Sequence, residues 1–155
     1  MAEAARRLDV LRTGPRFTAA EVEALNARFA ALPTIAMLRA VLREGLAGDI
    51  AAVSSFGAES AVLLHLIATI DRSVPVLFLD TGKHFPETLA YRDTVMKRLG
   101  MTNLVNLSPN AQALTKRDET GLRWSYDPDG CCEIRKVRPL AAALTHFDAS
   151  FTGRK

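Results

Sequence analysis

Hydrophobic positions along the chain recur with two spacings, and together they predict alternating helices and strands. Apolar residues three or four apart indicate amphipathic helices, while short apolar runs between turn residues indicate buried strands. Helices are predicted over 19–31, from Pro33 to Gly48, and over 59–71, 85–98 and 110–119. Strands are predicted over 50–54, 75–79, 103–107 and 147–152. This alternation predicts an α/β fold, a Rossmann-like parallel sheet with flanking helices.

Residue chemistry predicts where several elements begin and end. Thr18 followed by Glu21 has the spacing of a capping box at the start of the first helix. Residues 120–130 are predicted to form a loop, and residues 131–137 to be helical. Pro139 is expected to start a new helix, because proline in a helix interior removes a hydrogen bond.

Length and composition are those of a single domain with a core. The chain has 155 residues, of which 48% are hydrophobic. We expect residues 1–48 to form a helical lead-in and residues 49–155 to form the α/β part. No run of about 18 uncharged apolar residues occurs, so no membrane partner is expected. The first residues do not have the pattern of a secretory signal, so we expect the protein to be cytoplasmic.

The charge pattern favours a small anionic ligand over a nucleic acid. The formal net charge is +3, and apart from Arg135-Lys136-Val137-Arg138 the cations are scattered. Nucleic-acid sites combine basic patches with aromatic platforms, and few aromatic residues accompany these cations. We therefore expect no nucleic-acid partner.

The segment 53–60, Val-Ser-Ser-Phe-Gly-Ala-Glu-Ser, predicts an anion site. It joins a predicted strand to a predicted helix, and the N–H groups of such a turn converge on an anion that the helix dipole also attracts. Gly57 would supply a positive φ or allow close approach to a ligand. Hydroxyl donors are offered by Ser54, Ser55 and Ser60. The spacing fits neither the P-loop nor the dinucleotide fingerprint, and plain helix capping stays open as the alternative.

A second polar segment follows the next predicted strand. Residues 74–79 are apolar, and Asp80-Thr81-Gly82-Lys83-His84 comes directly after them. Ligands of open α/β sheets bind at the carboxyl ends of the strands, so these residues are candidates for ligand contact. For His84, a packing or capping role is an equal alternative.

Cys131 and Cys132 are the only two cysteines of the chain. Adjacent Cα atoms lie about 3.8 Å apart, closer than a disulfide normally allows, so the pair does not form a disulfide framework. Thiolates ligate iron–sulfur clusters, and a helix N-terminus favours the thiolate form. Two buried free cysteines are the alternative.

Three segments carry a family resemblance: Ser-Phe-Gly-Ala-Glu-Ser at 55–60, Leu-Asp-Thr-Gly-Lys-His-Phe-Pro-Glu-Thr-Leu at 79–89, and Cys-Cys-Glu-Ile-Arg-Lys-Val-Arg-Pro-Leu at 131–140. In this order they resemble the assimilatory sulfonucleotide reductases, which act on adenylyl sulfate (APS) or phosphoadenylyl sulfate (PAPS). The resemblance runs from about residue 50 to Lys155. It implies the adenine nucleotide α-hydrolase-like fold.

The resemblance also implies which residues bind the substrate. The first segment would hold the phosphosulfate, residues 79–82 of the second would contact the nucleoside, and basic residues would face the sulfate. The implied substrate-binding residues are Ser55, Phe56, Gly57, Ala58, Glu59, Ser60, Leu79, Asp80, Thr81, Gly82, Lys136, Arg154 and Lys155. Arg135, adjacent to Lys136, would share its role, with both charges offsetting a thiolate-rich cluster and facing the sulfate.

The cysteine pair resembles that of the APS branch, where two such cysteines and a later Cys-x-x-Cys bind a 4Fe–4S cluster. Cys131 and Cys132 would be two of its four ligands, and Trp124 and Tyr126 would pack over it or within their own loop. In the family a cysteine near the C-terminus attacks the sulfate sulfur, and thioredoxin or a similar thiol donor releases sulfite. These 155 residues contain no counterpart of that cysteine, so no catalytic residue is assigned. We expect a C-terminally truncated reductase whose sheet and site are incomplete, which binds nucleotide weakly and makes no sulfite alone.

Three other functions stay open from the sequence. A PAPS reductase uses similar chemistry, although its cluster-free type lacks the cysteine pair. A non-catalytic nucleotide-binding module would use the same turns. An ATP pyrophosphatase of the same fold usually carries Ser-Gly-Gly-x-Asp-Ser, whereas this chain has Phe56 and Glu59 at the differing positions.

Overall fold

The first described helix, α1 (Ala19–Ala30), begins with the predicted capping box. In this computed structural model, which describes residues 17–153, Glu21 N–H donates to Thr18 Oγ1 at 3.3 Å and Thr18 N–H donates to the Glu21 carboxylate at 2.7 Å. The chain divides into two compact units after Pro33, and α1 lies in the first.

The second unit contains the sheet and the remaining helices. Its helices are α2 (Thr34–Arg43), α3 (Ala58–Ala68), α4 (Pro86–Leu99), α5 (Ala111–Arg117), α6 (Pro128–Cys132) and α7 (Arg138–Leu144). Its strands are β1 (Ile50–Val53), β2 (Val76–Leu79), β3 (Leu104–Leu107) and β4 (Ala149–Thr152). Each predicted strand is present, with ends within two residues of those expected.

All four strands run parallel in the order β3-β2-β1-β4, which confirms the predicted α/β sheet. Val53 at the end of β1 is level with Leu77 of β2 on one side and with Thr152 of β4 on the other. The carboxyl ends of these three strands therefore meet at one edge of the sheet, where parallel α/β proteins bind ligands.

The core lies between the sheet and its helices. The core cluster contains Ala52, Phe56, Leu64, Ile67, Ala68, Val74, Val76, Phe78, Met96 and Met101. Burying a large apolar side chain contributes about 1.5–3 kcal/mol, so β2 and α3, which supply half of these side chains, anchor the turns that follow β1 and β2. No helix within residues 17–153 has both the length and the apolar character needed to cross a membrane.

The predicted end of the second helix at Gly48 is wrong. α2 ends at Arg43, and the last helical bond is donated by Glu44 N–H to Ala40 O at 3.0 Å. Gly45 then adopts a φ of +63°, the left-handed conformation that ends many helices, so the helix stops well before Gly48.

The region of residues 120–144 also differs from the prediction. The expected loop 120–130 contains a 3₁₀ turn (Arg123–Ser125) and the start of α6 at Pro128. Pro139 does not start a separate helix, because Glu133–Val137 forms a π-helical turn that connects α6 to α7 without a break. A π turn shifts the backbone hydrogen bonds by one residue, and such turns occur frequently at functional sites.

Candidate functional site

The turn after β1 is held by a strained phenylalanine rather than by a glycine. Phe56 has a φ of +60°, whereas Gly57 has a φ of −64°, so of the two roles expected for Gly57 the positive φ is excluded and close approach to a ligand stays a prediction. Phe56 N–H donates to the buried Ser54 Oγ at 3.0 Å. The Phe56 ring lies edge-on to Phe78, with centroids 5.7 Å apart. Positive φ in a bulky residue is a marked outlier, and such strain is often found at functional sites.

This bend leads directly into the open N-terminus of α3. Gly57 is the N-cap and has no side chain to accept from the first turn, and the first intrahelical bond is donated by Ala61 N–H to Gly57 O at 2.9 Å. The N–H groups of residues 58–60 precede that bond, so they have no acceptor within the helix. With the helix dipole, they make this turn suitable for binding an anion.

An open cleft of about 610 Å³ lies at the α3 N-terminus. It is lined by Val53, Ser55, Gly57, Ala58, Glu59, Ser60, Thr152 and Gly153. The cleft thus brings five of the predicted binding residues together with the end of β4. A Cβ added to Gly153 would lie 3.3 Å from the Ser60 backbone, so β4 approaches the turn closely there. The predicted site residues Arg154 and Lys155 lie outside the described part of the chain.

The turn after β2 is organised by short local hydrogen bonds. Gly82 N–H donates to Asp80 Oδ1 at 3.1 Å, and Lys83 N–H donates to Thr81 Oγ1 at 3.2 Å. Gly82 has a φ of +68°, which glycine adopts without strain. Thr81 is buried, and Leu79 and Asp80 are partly buried at the carboxyl end of β2. Because β1 and β2 are neighbours, this turn lies at the same sheet edge as the cleft.

His84 makes the contacts expected of a packing role. Its Nε2 lies 2.8 Å from Leu79 O, and its ring stacks on Phe78 with centroids 4.9 Å apart. Lys83 extends to the opposite loop, where Nζ donates to Gly121 O at 2.7 Å.

The cysteine pair lies at the junction of α6 and the π turn. Cys131 is buried, Cys132 is partly exposed, and both are free thiols. Asp127 caps α6 by accepting from Gly130 N–H at 2.9 Å and also pairs with Arg123 at 2.6 Å. These bonds lower the pKa of Asp127, the Gly130 hydrogen bond most. Within residues 17–153, no three His, Cys, Asp or Glu side chains are grouped so as to hold a metal ion.

Arg135, which the family resemblance led us to expect beside the sulfate, is engaged in a buried ion pair. It is buried and donates to Asp118 Oδ2 from Nε at 3.1 Å and from Nη2 at 2.5 Å. Its Nη1 donates to Thr81 O at 2.7 Å. The hydrogen bonds from Arg135, with one from Arg123 N–H, hold the pKa of Asp118 below its usual value. Lys136, the next residue, is exposed.

Asp118 was not predicted from the sequence. It stands in the charged run Lys116-Arg117-Asp118-Glu119, which is typical of a solvated helix end, and no periodicity marks it as buried. The aromatic residues of the following loop are exposed, Trp124 by 56% and Tyr126 by 69%.

Comparison with known proteins agrees with this arrangement. Residues 49–155 match the model of the phosphoadenosine phosphosulfate reductase domain. Over 97% of its own length, the chain is 47% identical to the adenosine 5′-phosphosulfate reductase of Mesorhizobium japonicum. Over 91% of its own length, it is 51% identical to the adenosine 5′-phosphosulfate reductase of a Chelativorans species. It spans about 59% of the length of each of these two relatives.

A solved structure has the same fold. The phosphoadenylyl-sulfate reductase of Candida auris, crystallised with phosphate, matches with a TM-score of 0.69 and 23% identity, over 91% of this chain and 70% of that one. At this identity the match concerns the fold alone. Because residues 49–155 match the family model and form the expected parallel sheet, the chain belongs to the phosphoadenosine phosphosulfate reductase domain family.

Proposed function

We propose that this chain is the nucleotide-binding part of an enzyme that reduces adenylyl sulfate to sulfite and AMP, with thioredoxin or a similar thiol protein as electron donor. Family membership supports sulfonucleotide chemistry, and the relatives' name favours the substrate without a 3′-phosphate. The second candidate is PAPS as substrate, favoured by the family's own description.

The observation that carries the proposal is the open N-terminus of α3 inside the cleft. The N–H groups of residues 58–60 and the hydroxyls of Ser55 and Ser60 would donate to the phosphosulfate oxygens. Phe56 would contribute by shaping the turn, because its ring is buried in the core and its N–H donates to Ser54 Oγ. The cleft is open, so a ligand can enter without displacing a side chain from the core.

The nucleoside would extend from the cleft toward the turn after β2. Leu79, Asp80, Thr81 and Gly82 would contact the adenosine there, since β1 and β2 end at the same edge. Lys136, and Arg154 and Lys155 outside the described residues, would add positive charge for the sulfate. The role of the chain is then to bind and orient the substrate, and we assign no residue of it as the nucleophile.

Cys131 and Cys132 are proposed as two ligands of a 4Fe–4S cluster, but two cysteines are too few to hold the complete cluster. Such a cluster takes four thiolates, and the chain contains two cysteines. The described residues add no further group of metal ligands around them. We therefore derive no step of the reaction through a cluster. Two free thiols and a thioredoxin-type donor suit a reducing compartment, so we propose the cytoplasm as location.

Replacing Gly57 by alanine tests the anion site directly. Beyond its chain neighbours, an added Cβ would meet only Ser55 Oγ, at 3.7 Å, so the variant should fold with its unfolding free energy within about 1 kcal/mol of wild type. A bound phosphosulfate would be crowded by the methyl group. We expect calorimetry to show that Gly57→Ala binds adenylyl sulfate at least about tenfold more weakly.

Phe85→Ala is the matched control for this variant. Phe85 is the N-cap of α4 and, like Gly57, makes no side-chain capping bond. Its replacement should leave the affinity for adenylyl sulfate unchanged. Equal affinities of wild type and Gly57→Ala would contradict the proposed site. Titrating PAPS in parallel distinguishes the two candidate substrates.

A further inference from the structure

Asp118 and Arg135 form a buried ion pair to which the proposed function assigns no role. The Asp118 side chain is fully buried and that of Arg135 is 8% exposed. Arg135 Nε and Nη2 both donate to Asp118 Oδ2. Asp118 Oδ1 accepts from Arg123 N–H at 2.8 Å. Both carboxylate oxygens are therefore engaged, as a buried charge requires.

The same guanidinium also binds the turn after β2. Arg135 Nη1 donates to Thr81 O at 2.7 Å, and a Cβ added to Gly82 would lie 3.6 Å from that nitrogen. One side chain thus connects the π turn beyond the cysteine pair, the end of α5 and the candidate nucleoside turn. Lys83, which donates to Gly121 O, adds a second link between this turn and the loop after Asp118.

We propose that Asp118 is a positioning residue for the nucleotide site: it holds the Arg135 guanidinium against Thr81 O and thereby sets the geometry of the turn 80–82. The proposal rests on the proposed function, in which this turn contacts the nucleoside. Asp118 itself lies buried behind the turn and does not contact the ligand.

The physical argument concerns the charge of Arg135. A buried guanidinium whose acceptors are all neutral carbonyl oxygens is unstable, and it would move toward water if the carboxylate were lost. Thr81 O would then lose its donor, and the turn would exchange among several conformations. A binding turn that must be ordered by the ligand binds more weakly, because part of the binding free energy is spent on ordering it.

Asp118→Asn tests this role with two independent readouts on the full chain. Hydrogen exchange measures the protection of the Gly82 and Lys83 amides without any ligand, and calorimetry measures the affinity for adenylyl sulfate. We expect these amides to exchange about tenfold faster or more, and the affinity to fall by a similar factor, because a hydrogen bond to a charged group is weakened. Amides of β1 should keep their protection.

Asp127→Asn is the matched control. Asp127 also pairs with an arginine, Arg123, but that pair does not reach Thr81. The control should leave the exchange of Gly82 and Lys83 and the affinity unchanged. Unchanged exchange in Asp118→Asn would overturn the positioning role, as would an equal effect of Asp127→Asn.

Arg135→Lys is the second variant, to be used if Asp118→Asn does not fold. Lysine keeps the charge beside Asp118, but its single ammonium cannot reproduce the fork that joins Asp118 to Thr81 O. The expected result is the same loss of amide protection, and full protection would overturn the proposal. If the wild type binds no sulfonucleotide, the proposed function fails, whereas amide exchange still decides whether Asp118 positions the turn.

Discussion

At the scale of the residue, Phe56 shows how packing holds the binding turn in a strained shape. Its φ of +60° costs about 1–3 kcal/mol, yet the ring is buried edge-on against Phe78. Packing of the ring in the core thus keeps the backbone at a positive φ, a conformation that a solvent-exposed side chain would not maintain. The bend directs the chain from β1 into the open end of α3.

Truncating this ring should destabilise the protein strongly. We expect Phe56→Ala to lower the free energy of unfolding by about 3–5 kcal/mol, because it removes buried aromatic surface and leaves a cavity. Urea denaturation measures the change. Phe85→Ala removes the same atoms from a ring that is 75% exposed and should change the value by less than about 0.5 kcal/mol. Similar losses in both variants would show that the Phe56 ring does not anchor the turn.

The buried carboxylate of Asp118 should contribute to acid sensitivity. The hydrogen bonds from Arg135 lower the pKa of Asp118 in the folded state, so its stabilisation is fully present above the pKa of an unfolded aspartate, about 3.9. It is lost as the pH falls through the lower folded value. In urea denaturation, the stability difference between wild type and Asp118→Asn should be largest near pH 7 and shrink below about pH 4. A difference independent of pH would contradict this.

Single residues of the site were predicted unevenly from the sequence. The turn itself followed from a strand, small residues and a helix start, but the sequence did not show that Phe56, and not Gly57, takes the positive φ. That choice depends on the contact with Phe78, which comes from another strand. Arg135 was expected at the ligand, and its burial depends on Asp118, seventeen residues away in the chain. Local patterns do not contain such partners.

At the scale of the element, the cysteine pair lies on a helical segment whose start is well capped and whose middle is irregular. Asp127 caps α6, while Glu133–Val137 takes the π form and passes into α7. The π turn places both Ile134 and Arg135 in the interior, while Lys136 stays exposed. This segment connects the thiols to the candidate nucleotide turn through Arg135.

Loosening the start of α6 should expose the buried thiol. We expect Asp127→Ala to lower stability by about 1–2 kcal/mol and to speed alkylation of Cys131, because it removes the cap and the partner of Arg123. The rate is measured with iodoacetamide in a Cys132→Ser background.

Asn110→Ala is the control for this change. Asn110 caps α5 by accepting from Ala113 N–H at 3.0 Å, so its loss should have a similar cost in stability. It should leave the alkylation of Cys131 unchanged. If both variants speed the reaction equally, the exposure reflects general destabilisation and the role of the α6 cap is refuted.

Elements were predicted best where one strong signal decided them. The four predicted strands are all present, since each pairs with a neighbour in the parallel sheet. The end of α2 was missed because two glycines follow it, both with a positive φ, and the sequence does not tell which of them ends the helix. Pro139 was taken as a helix start, whereas a π turn just before it lets the helix continue.

At the scale of the whole molecule, the parallel order β3-β2-β1-β4 brings separate segments to one edge. The turn after β1, the turn after β2 and the end of β4 come from three parts of the chain, and only the sheet makes them neighbours. The fold class followed from the alternation of strands and helices, but the cleft at Gly153 required the β1–β4 pairing. The chain spans about 59% of the length of each of the two relatives compared. The reaction is therefore proposed for a protein of their length, in which this chain would be the nucleotide-binding part.

The central claim is that the α3 N-terminus binds the charged end of a sulfonucleotide. Calorimetric titration of the 155-residue chain with adenylyl sulfate and, separately, with adenosine tests it most directly. We predict that adenylyl sulfate binds at least about tenfold more tightly, since adenosine offers no anion to the helix terminus. Equal affinities, or no heat with adenylyl sulfate, would contradict the account.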